Sequence, residues 1–278
     1  GSEMCIRDRY YDVHMQSCDI NLAKGREMLI ITHCQEGRIE FEYKNGEYLY
    51  LASGDLSIQK NTENIRHRYC PLSHYHGVSV AIDMNRVPRC FSCILDDVFV
   101  SPEELEMKFC SEKPYSIMRE NISIEHIFSE LYSVPENIRK GYHKVKVLEL
   151  LLFLSGLEYK GESEERRYFS RSQVTAAKEA KKYLLAHLDE HITITELADM
   201  LGISSTSLKI CFKGVYGDTI NGYITNCKMQ KAASLLKNTD KSVLEIAGIV
   251  GYNNGSKFAG AFRRVMNKSP NEYRKSLV

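Results

Sequence analysis

Two groups of residues in this 278-residue chain have types and spacings that suggest chemistry. In the first half, His67, His74 and His76 lie close together with Cys70 among them. A His-x-His pair on a strand points both rings to one face, which suits metal ligation. The favoured reading is the plainer one, Tyr75-His76-Gly77 as a turn-adjacent strand whose histidines hydrogen-bond locally. No carboxylate stands at a spacing recognisable for a metal-binding barrel enzyme, so neither metal nor cofactor is expected, and those three histidines are the candidates should one bind. Cys90-Phe-Ser-Cys93 is a lone CxxC without a second pair or a βαβ pattern, which gives zinc or redox chemistry little support. In the second half the notable side chains are cationic, and the chemistry they suggest is the binding of a polyanion. From Ser172 onward there are 15 Lys and Arg against 9 Asp and Glu, a net +6, whereas residues 1–171 carry 22 against 27, a net −5. A basic final third on a near-neutral protein points to an anionic partner for that third, the plain alternative being a solvated helical surface rich in lysine.

Those cations sit in a duplicated frame. Thr193-Ile-Thr-Glu-Leu-Ala-Asp-Met-Leu-Gly-Ile-Ser204 aligns with Ser242-Val-Leu-Glu-Ile-Ala-Gly-Ile-Val-Gly-Tyr-Asn253. Thr193/Glu196 and Ser242/Glu245 are capping boxes, which start helices. Ala198 and Ala247 leave room for a crossing helix, Gly202 and Gly251 supply a turn with positive φ, and Ser204 and Asn253 are placed to cap the next helix. Phe212/Phe262 and Tyr223/Tyr273 continue the match with one residue inserted after the glycine. The following helix buries Leu208 and Phe212 in one copy, Phe258 and Phe262 in the other. This is a helix-turn-helix arrangement, whose second helix enters the DNA major groove. Ile220, Tyr223, Ile224, Cys227, Ala232, Leu235 and Leu236 predict one long helix over about 219–237 joining the copies. Its length is on the order of 28 Å, near the ~34 Å of one DNA turn.

The rest of the chain must hold these residues. Composition is ordinary for a two-domain globular protein, 43% hydrophobic and 26% charged, and no apolar run reaches the ~18 residues of a membrane span. Gly1-Ser2 resembles a cloning remnant and Glu3–Arg9 sequencing-adapter read-through, so residues 1–9 are set aside from the fold. Short β-rich runs, Ile30–Thr32, Arg38–Tyr43, Tyr48–Leu51, Leu56–Ile58 and Val78–Ile82, with Asn45-Gly46 as a hairpin turn, predict a small antiparallel barrel or sandwich, and such a barrel can hold one ligand. Helices are expected from Pro102 to Phe109, Ser123 to Tyr132 and Gly141 to Tyr159; the last is apolar on more than one side, which favours packing against a second copy as well as the barrel. Lys160–Arg167 is a charged run without periodicity, a linker. Nine cysteines, odd in number and irregularly spaced, with no secretion signal, are expected as reduced thiols in a cytoplasmic protein. The fold class is α+β: a barrel over 10–100, a helical segment over 101–160, a linker over 161–171 and an all-α region with two helix-turn-helix units over 172–278.

Residues 174–273, with ELADMLGIS, VLEIAGIVGY and NKSPNEYRK, resemble the DNA-binding domain of AraC/XylS-type transcription regulators. Leu208-Lys209 and Ser256-Lys257-Phe258-Ala259 look more like the branch that includes siderophore-responsive regulators. The first half is similar in layout to that family's cupin-like sensing domain and dimerisation helices. The resemblance implies a homodimeric, non-enzymatic regulator of transcription, usually an activator contacting RNA polymerase, that binds double-stranded DNA under control of a small-molecule effector. It places Thr206, Lys209 and Ile210, and Ser256, Lys257 and Gly260, towards base edges. Ile210 and Gly260 stand where many relatives have arginine, which removes the usual guanine contact. Lys213, Lys228, Arg263 and Arg264 are the phosphate candidates. The alternative from another class is a metal-dependent cupin enzyme with an appended helical module, supported by His67, His74 and His76 alone.

Overall fold

The structure, a computed structural model, describes residues 6–13, 27–60, 65–86, 100–119, 122–159 and 169–276. Cys90, Cys93 and most of the 161–171 linker lie outside them. The chain divides into two compact units, Gly1–Tyr168 and Phe169–Val278.

The first unit is a sheet-rich half-barrel of seven antiparallel strands, β1 (Ile6–Val13), β2 (Met28–Tyr43), β3 (Tyr48–Ala52), β4 (Leu56–Lys60), β5 (Ile65–Tyr69), β6 (Tyr75–Asp83) and β7 (Tyr115–Met118). Three helices follow or interrupt them, α1 (Pro102–Cys110), α2 (Ile122–Ser129) and α3 (Arg139–Gly156). β2 is the spine. Its first part pairs with β4 and β6, and its second part pairs with β3 and β5. The change of direction is a bulge between Cys34 and Glu36, followed by Gly37 at φ +79°. A Cβ on Gly37 would collide with the carbonyl of His74, so only glycine lets these two backbones approach. The Asn45-Gly46 turn forms as expected, with Gly46 at φ +82° and Tyr43 N–H donating to the Glu47 carbonyl at 2.9 Å.

Strand alternation sorts the side chains. Leu29 and Ile31, Leu56 and Ile58, and Val78, Val80 and Ile82 pack against Phe109, Ile127, Phe128, Leu150, Leu151 and Leu154 of the helices. On the opposite face Ser57, Thr32 and Ser79 are cross-strand neighbours, all buried, with Thr32 and Ser79 hydroxyls 2.8 Å apart and Gln59 Nε2 donating to Ser57 Oγ at 3.1 Å. Ser101 caps α1 by accepting from Glu104 N–H. α3 buries Val147, Leu150, Leu151 and Leu154 and packs Leu152 partly against the same core, whereas its Val145 is 62% exposed with Leu148 half-buried, and Ile138 just before it is 50% exposed.

Two expectations are corrected. Residues 6–9 are not outside the fold: β1 pairs Ile6 with Ile82 and Arg9 with Ser79 at the edge of the sheet. The 101–160 segment is not wholly helical, because Tyr115–Met118 adds a strand to β4. The three histidines do not converge either. β6 begins at Tyr75, so His74 and His76 do not share a strand face; His74 Nε2 meets Glu36 at 3.2 Å, the His76 ring lies edge-on to Tyr132 at 5.1 Å, and His67 is exposed on β5 opposite Glu42. Among the described residues no group of three His, Cys, Asp or Glu is placed to hold a metal, and no helix is long and apolar enough to cross a membrane.

His33 is buried instead, stacked on Phe128 at 4.3 Å with Nδ1 3.1 Å from the Tyr132 hydroxyl. Burial pushes its pKa from 6.5 down to about 4. Between those values the unfolded chain holds a proton that the folded chain rejects, so stability should fall as pH is lowered through that window. His33→Phe keeps a ring in the stack and should flatten this part of the pH–stability curve in denaturant titrations; an unchanged slope would show that His33 does not titrate as its burial demands.

Candidate nucleic-acid interface

The second unit contains seven helices among its described residues: α4 (Arg171–Ala186), α5 (Ile194–Met200), α6 (Ser205–Tyr216), α7 (Ile220–Asn238), α8 (Val243–Ile249), α9 (Gly255–Met266) and α10 (Pro270–Lys275). Both expected capping boxes close. Glu196 N–H donates to Thr193 Oγ1 and Thr193 N–H to the Glu196 carboxylate; Ser242 and Glu245 repeat this. The bonds from the Thr193 backbone and hydroxyl hold the Glu196 carboxyl below its ordinary pKa, and Ser242 does the same for Glu245. The same device starts α4 (Ser170/Gln173) and α10 (Ser269/Glu272). These two were missed although their S-x-x-Q and S-x-x-E spacing is plain in the sequence.

Both turns are built alike. Gly202 and Gly251 take φ +68° and +77°, and the next residue's N–H reaches back to the alanine carbonyl, Ile203 to Ala198 at 3.1 Å and Tyr252 to Ala247 at 2.9 Å. Ser204 caps α6, accepting from Ser207 N–H. α9 is capped by Asn254, not Asn253 as expected: Asn254 Oδ1 accepts from Lys257 N–H at 2.9 Å. The inserted residue after the second glycine explains the shift, since it moves the counterpart of Ser204 one position on. Beneath α6 and α9 lie Leu208 and Phe212, and Phe258 and Phe262, all fully buried. Phe212 meets Tyr223 edge-on at 5.6 Å and Phe262 meets Tyr273 edge-on at 5.5 Å, so the duplication extends to ring geometry. α7, capped by Thr219, joins the copies over 19 residues, a length on the order of 28 Å.

The opposite faces of α6 and α9 are polar. Thr206, Lys209 and Lys213 are exposed on α6 with Ile210 half-buried among them, and Ser256, Lys257, Gly260, Arg263 and Arg264 are exposed on α9. At 100° per residue each set lies on the arc opposite the buried residues. Neither helix carries an acidic residue. Each is therefore a cationic ridge on a rigid apolar base, able to neutralise phosphates while offering short side chains to base edges. A Cβ on Gly260 would meet nothing within 4 Å, so its bareness serves no packing within the protein.

Lys228 is placed differently. It lies half-buried on α7, its Nζ 5.7 Å from the centre of the Tyr252 ring, and burial pushes its pKa down against the pull of Asp189. Lys181 on α4 is a second half-buried cation, over the Tyr216 ring at 4.8 Å and the Tyr223 ring at 5.6 Å. Phe169 and Ser170, expected in the linker, belong to this unit: Phe169 is buried and closes over Gly214, and Ser170 caps α4.

Residues 197–276 match the family model described as a helix-turn-helix domain. The chain is similar to the xylose operon regulatory protein of Escherichia coli (strain K12), with 31% identity over 153 residues covering 52% of this chain and 39% of that protein. It is also similar to the melibiose operon regulatory protein of the same strain, 30% identical over 93 residues covering 34% of this chain and 31% of that one. The chain thus spans well under half the length of these curated relatives. Among solved structures, the C-terminal domain of AraT, a response regulator from Geobacillus stearothermophilus, aligns with 32% identity over 36% of this chain and 84% of that domain, with a TM-score of 0.36.

Proposed function

We propose that this protein is a sequence-specific, double-stranded DNA-binding regulator of transcription of the AraC/XylS type, because residues 197–276 match a helix-turn-helix family model and the chain is similar to part of the xylose and melibiose operon regulatory proteins. The observation that carries the proposal is the pair of acid-free, outward-facing helices, α6 and α9, on matching cores at the two ends of α7. In this reading Thr206, Lys209 and Ile210, and Ser256, Lys257 and Gly260, face base edges. Ile210 offers an apolar surface suited to a thymine methyl group. Lys213, Arg263 and Arg264 take phosphates.

The first unit supplies control. Its half-barrel is a cupin-like sensing domain, and the buried hydroxyl row of Ser57, Thr32 and Ser79 with Gln59 is a polar wall against which a small-molecule effector would bind. The apolar side of α3 that carries the exposed Val145 and the half-buried Leu148 is the homodimer contact. The effector changes dimer or interdomain geometry and so the seating of the reading helices on repeated sites. The output is activation through RNA polymerase in the cytoplasm, without enzymatic chemistry. The siderophore-responsive branch rests on Leu208-Lys209 and Ser256–Ala259 and is tested by reporter induction with ferric siderophores.

The direct test is binding to a randomised duplex library followed by titration of the enriched site. Lys213→Ala should weaken binding to every sequence and reduce the slope of log K against log salt by about one. A loss confined to one sequence would assign Lys213 to a base.

A further inference from the structure

Gly202 and Gly251 hold the same place in the two turns and the same left-handed backbone, but their surroundings differ. A Cβ on Gly202 would meet nothing within 4 Å, whereas one on Gly251 would lie 2.5 Å from the Asp189 carbonyl oxygen and 3.1 Å from its Cα. The turn of the second copy is therefore seated on the α4–α5 connection of the first. Lys228 stands beside this seat. Its Nζ lies over the ring of Tyr252, the residue after Gly251, and its charge interacts with that of Asp189. Tyr252 in turn is edge-on to Phe258 at 5.7 Å, in the core beneath α9. A chain of contacts thus runs from Asp189 through the Gly251–Tyr252 turn to the base of α9, off the axis of α7, and Lys228 of α7 braces that turn through the Tyr252 ring.

We infer that Lys228 is a positioning residue that, with the Gly251–Asp189 seat, clamps the second helix pair to the first and so fixes the half-site spacing the protein accepts. A single helix between two reading heads transmits bending and twisting. A second contact away from its axis removes those freedoms, because any rotation of α9 about α7 must break the glycine seat or lift Tyr252 from the ammonium. The half-burial of Lys228 fits this role better than a phosphate contact, which requires the charge to reach out to DNA. The inference rests on the proposal that α6 and α9 both read DNA.

The test uses the full chain and the duplex enriched from a random library. Wild type, Lys228→Met, Lys228→Arg and Lys213→Ala are titrated on the enriched site, on versions with one base pair added or removed between its halves, and on each half alone. Lys228→Met should bind each half as wild type does and lose about five- to tenfold on the intact site. It should also penalise altered spacing less than wild type and keep the wild-type salt slope; Lys228→Arg should restore affinity and spacing preference. A salt slope shallower by about one with the spacing penalty intact would make Lys228 a phosphate contact and overturn the clamp. Failure of the wild type to enrich any site would instead sink the DNA reading, and the seat is then judged by melting. Asparagine tolerates left-handed φ, so Gly202→Asn should shift Tm little and Gly251→Asn clearly more; equal shifts would overturn the seat.

Discussion

Phe262→Ala should destabilise the second helix pair by about 3–5 kcal/mol, the cost of emptying a fully packed aromatic site. The ring is completely buried, 5.8 Å from Phe258 and 5.5 Å from Tyr273, in a core completed by Met229, Leu236, Ile246 and Val250. Those neighbours come from four helices, so the hole cannot be closed by moving one side chain. Phe212→Ala removes the matching ring in the first copy and should cost a similar amount. Denaturant unfolding of the second unit measures both. A loss below about 1 kcal/mol would mean that the site collapses freely and that the paired aromatic cores are not what holds α6 and α9. Either variant should also lose affinity for a two-part duplex site while binding the half-site read by the intact copy.

Lys257→Ala carries the second large effect. Lys257 is exposed near the start of α9, where its backbone N–H, not its side chain, bonds the Asn254 cap. Alanine keeps that cap and is a better helix former, so folding should be unharmed. If the ammonium contacts a base edge, discrimination between the enriched site and its single-base variants should fall by about 1–3 kcal/mol, roughly five- to 150-fold, while non-specific binding changes little. A variant that binds every sequence more weakly but ranks them as before would place Lys257 on the backbone phosphates.

The second unit was largely legible because its signals are local. The S/T-x-x-E boxes, the positive-φ glycines and the aromatic spacing lie within a few residues of what they determine, and the duplication let each copy check the other. The long helix expected over 219–237 is observed as Ile220–Asn238 after its Thr219 cap. Even the misplaced cap follows from the sequence, since the offset of 50 that relates Phe212 to Phe262 also relates Ser204 to Asn254. The first unit was less legible because its determinants are distant. Tyr115–Met118 is four residues whose strand character comes from β4, more than fifty positions earlier, and Ile6–Val13 becomes a strand by pairing with β6. The environment of His33 is made by Phe128 and Tyr132, and nothing near His33 in the sequence announces them. Lys228 shows the same limit inside the legible half. As one basic residue among many it suggests a phosphate contact, and its half-buried position over the Tyr252 ring depends on a residue 24 positions away in the chain.

The proposed function requires that α6 and α9, held apart by α7, read one duplex together. Hydroxyl-radical footprinting of the full chain on its enriched site measures this directly. For each bound protomer two protected backbone segments are expected on one face of the duplex, their centres about 10–10.5 base pairs apart, with protection in the second lost in Phe262→Ala. A single protected segment, or two whose separation varies freely among enriched sequences, would contradict it.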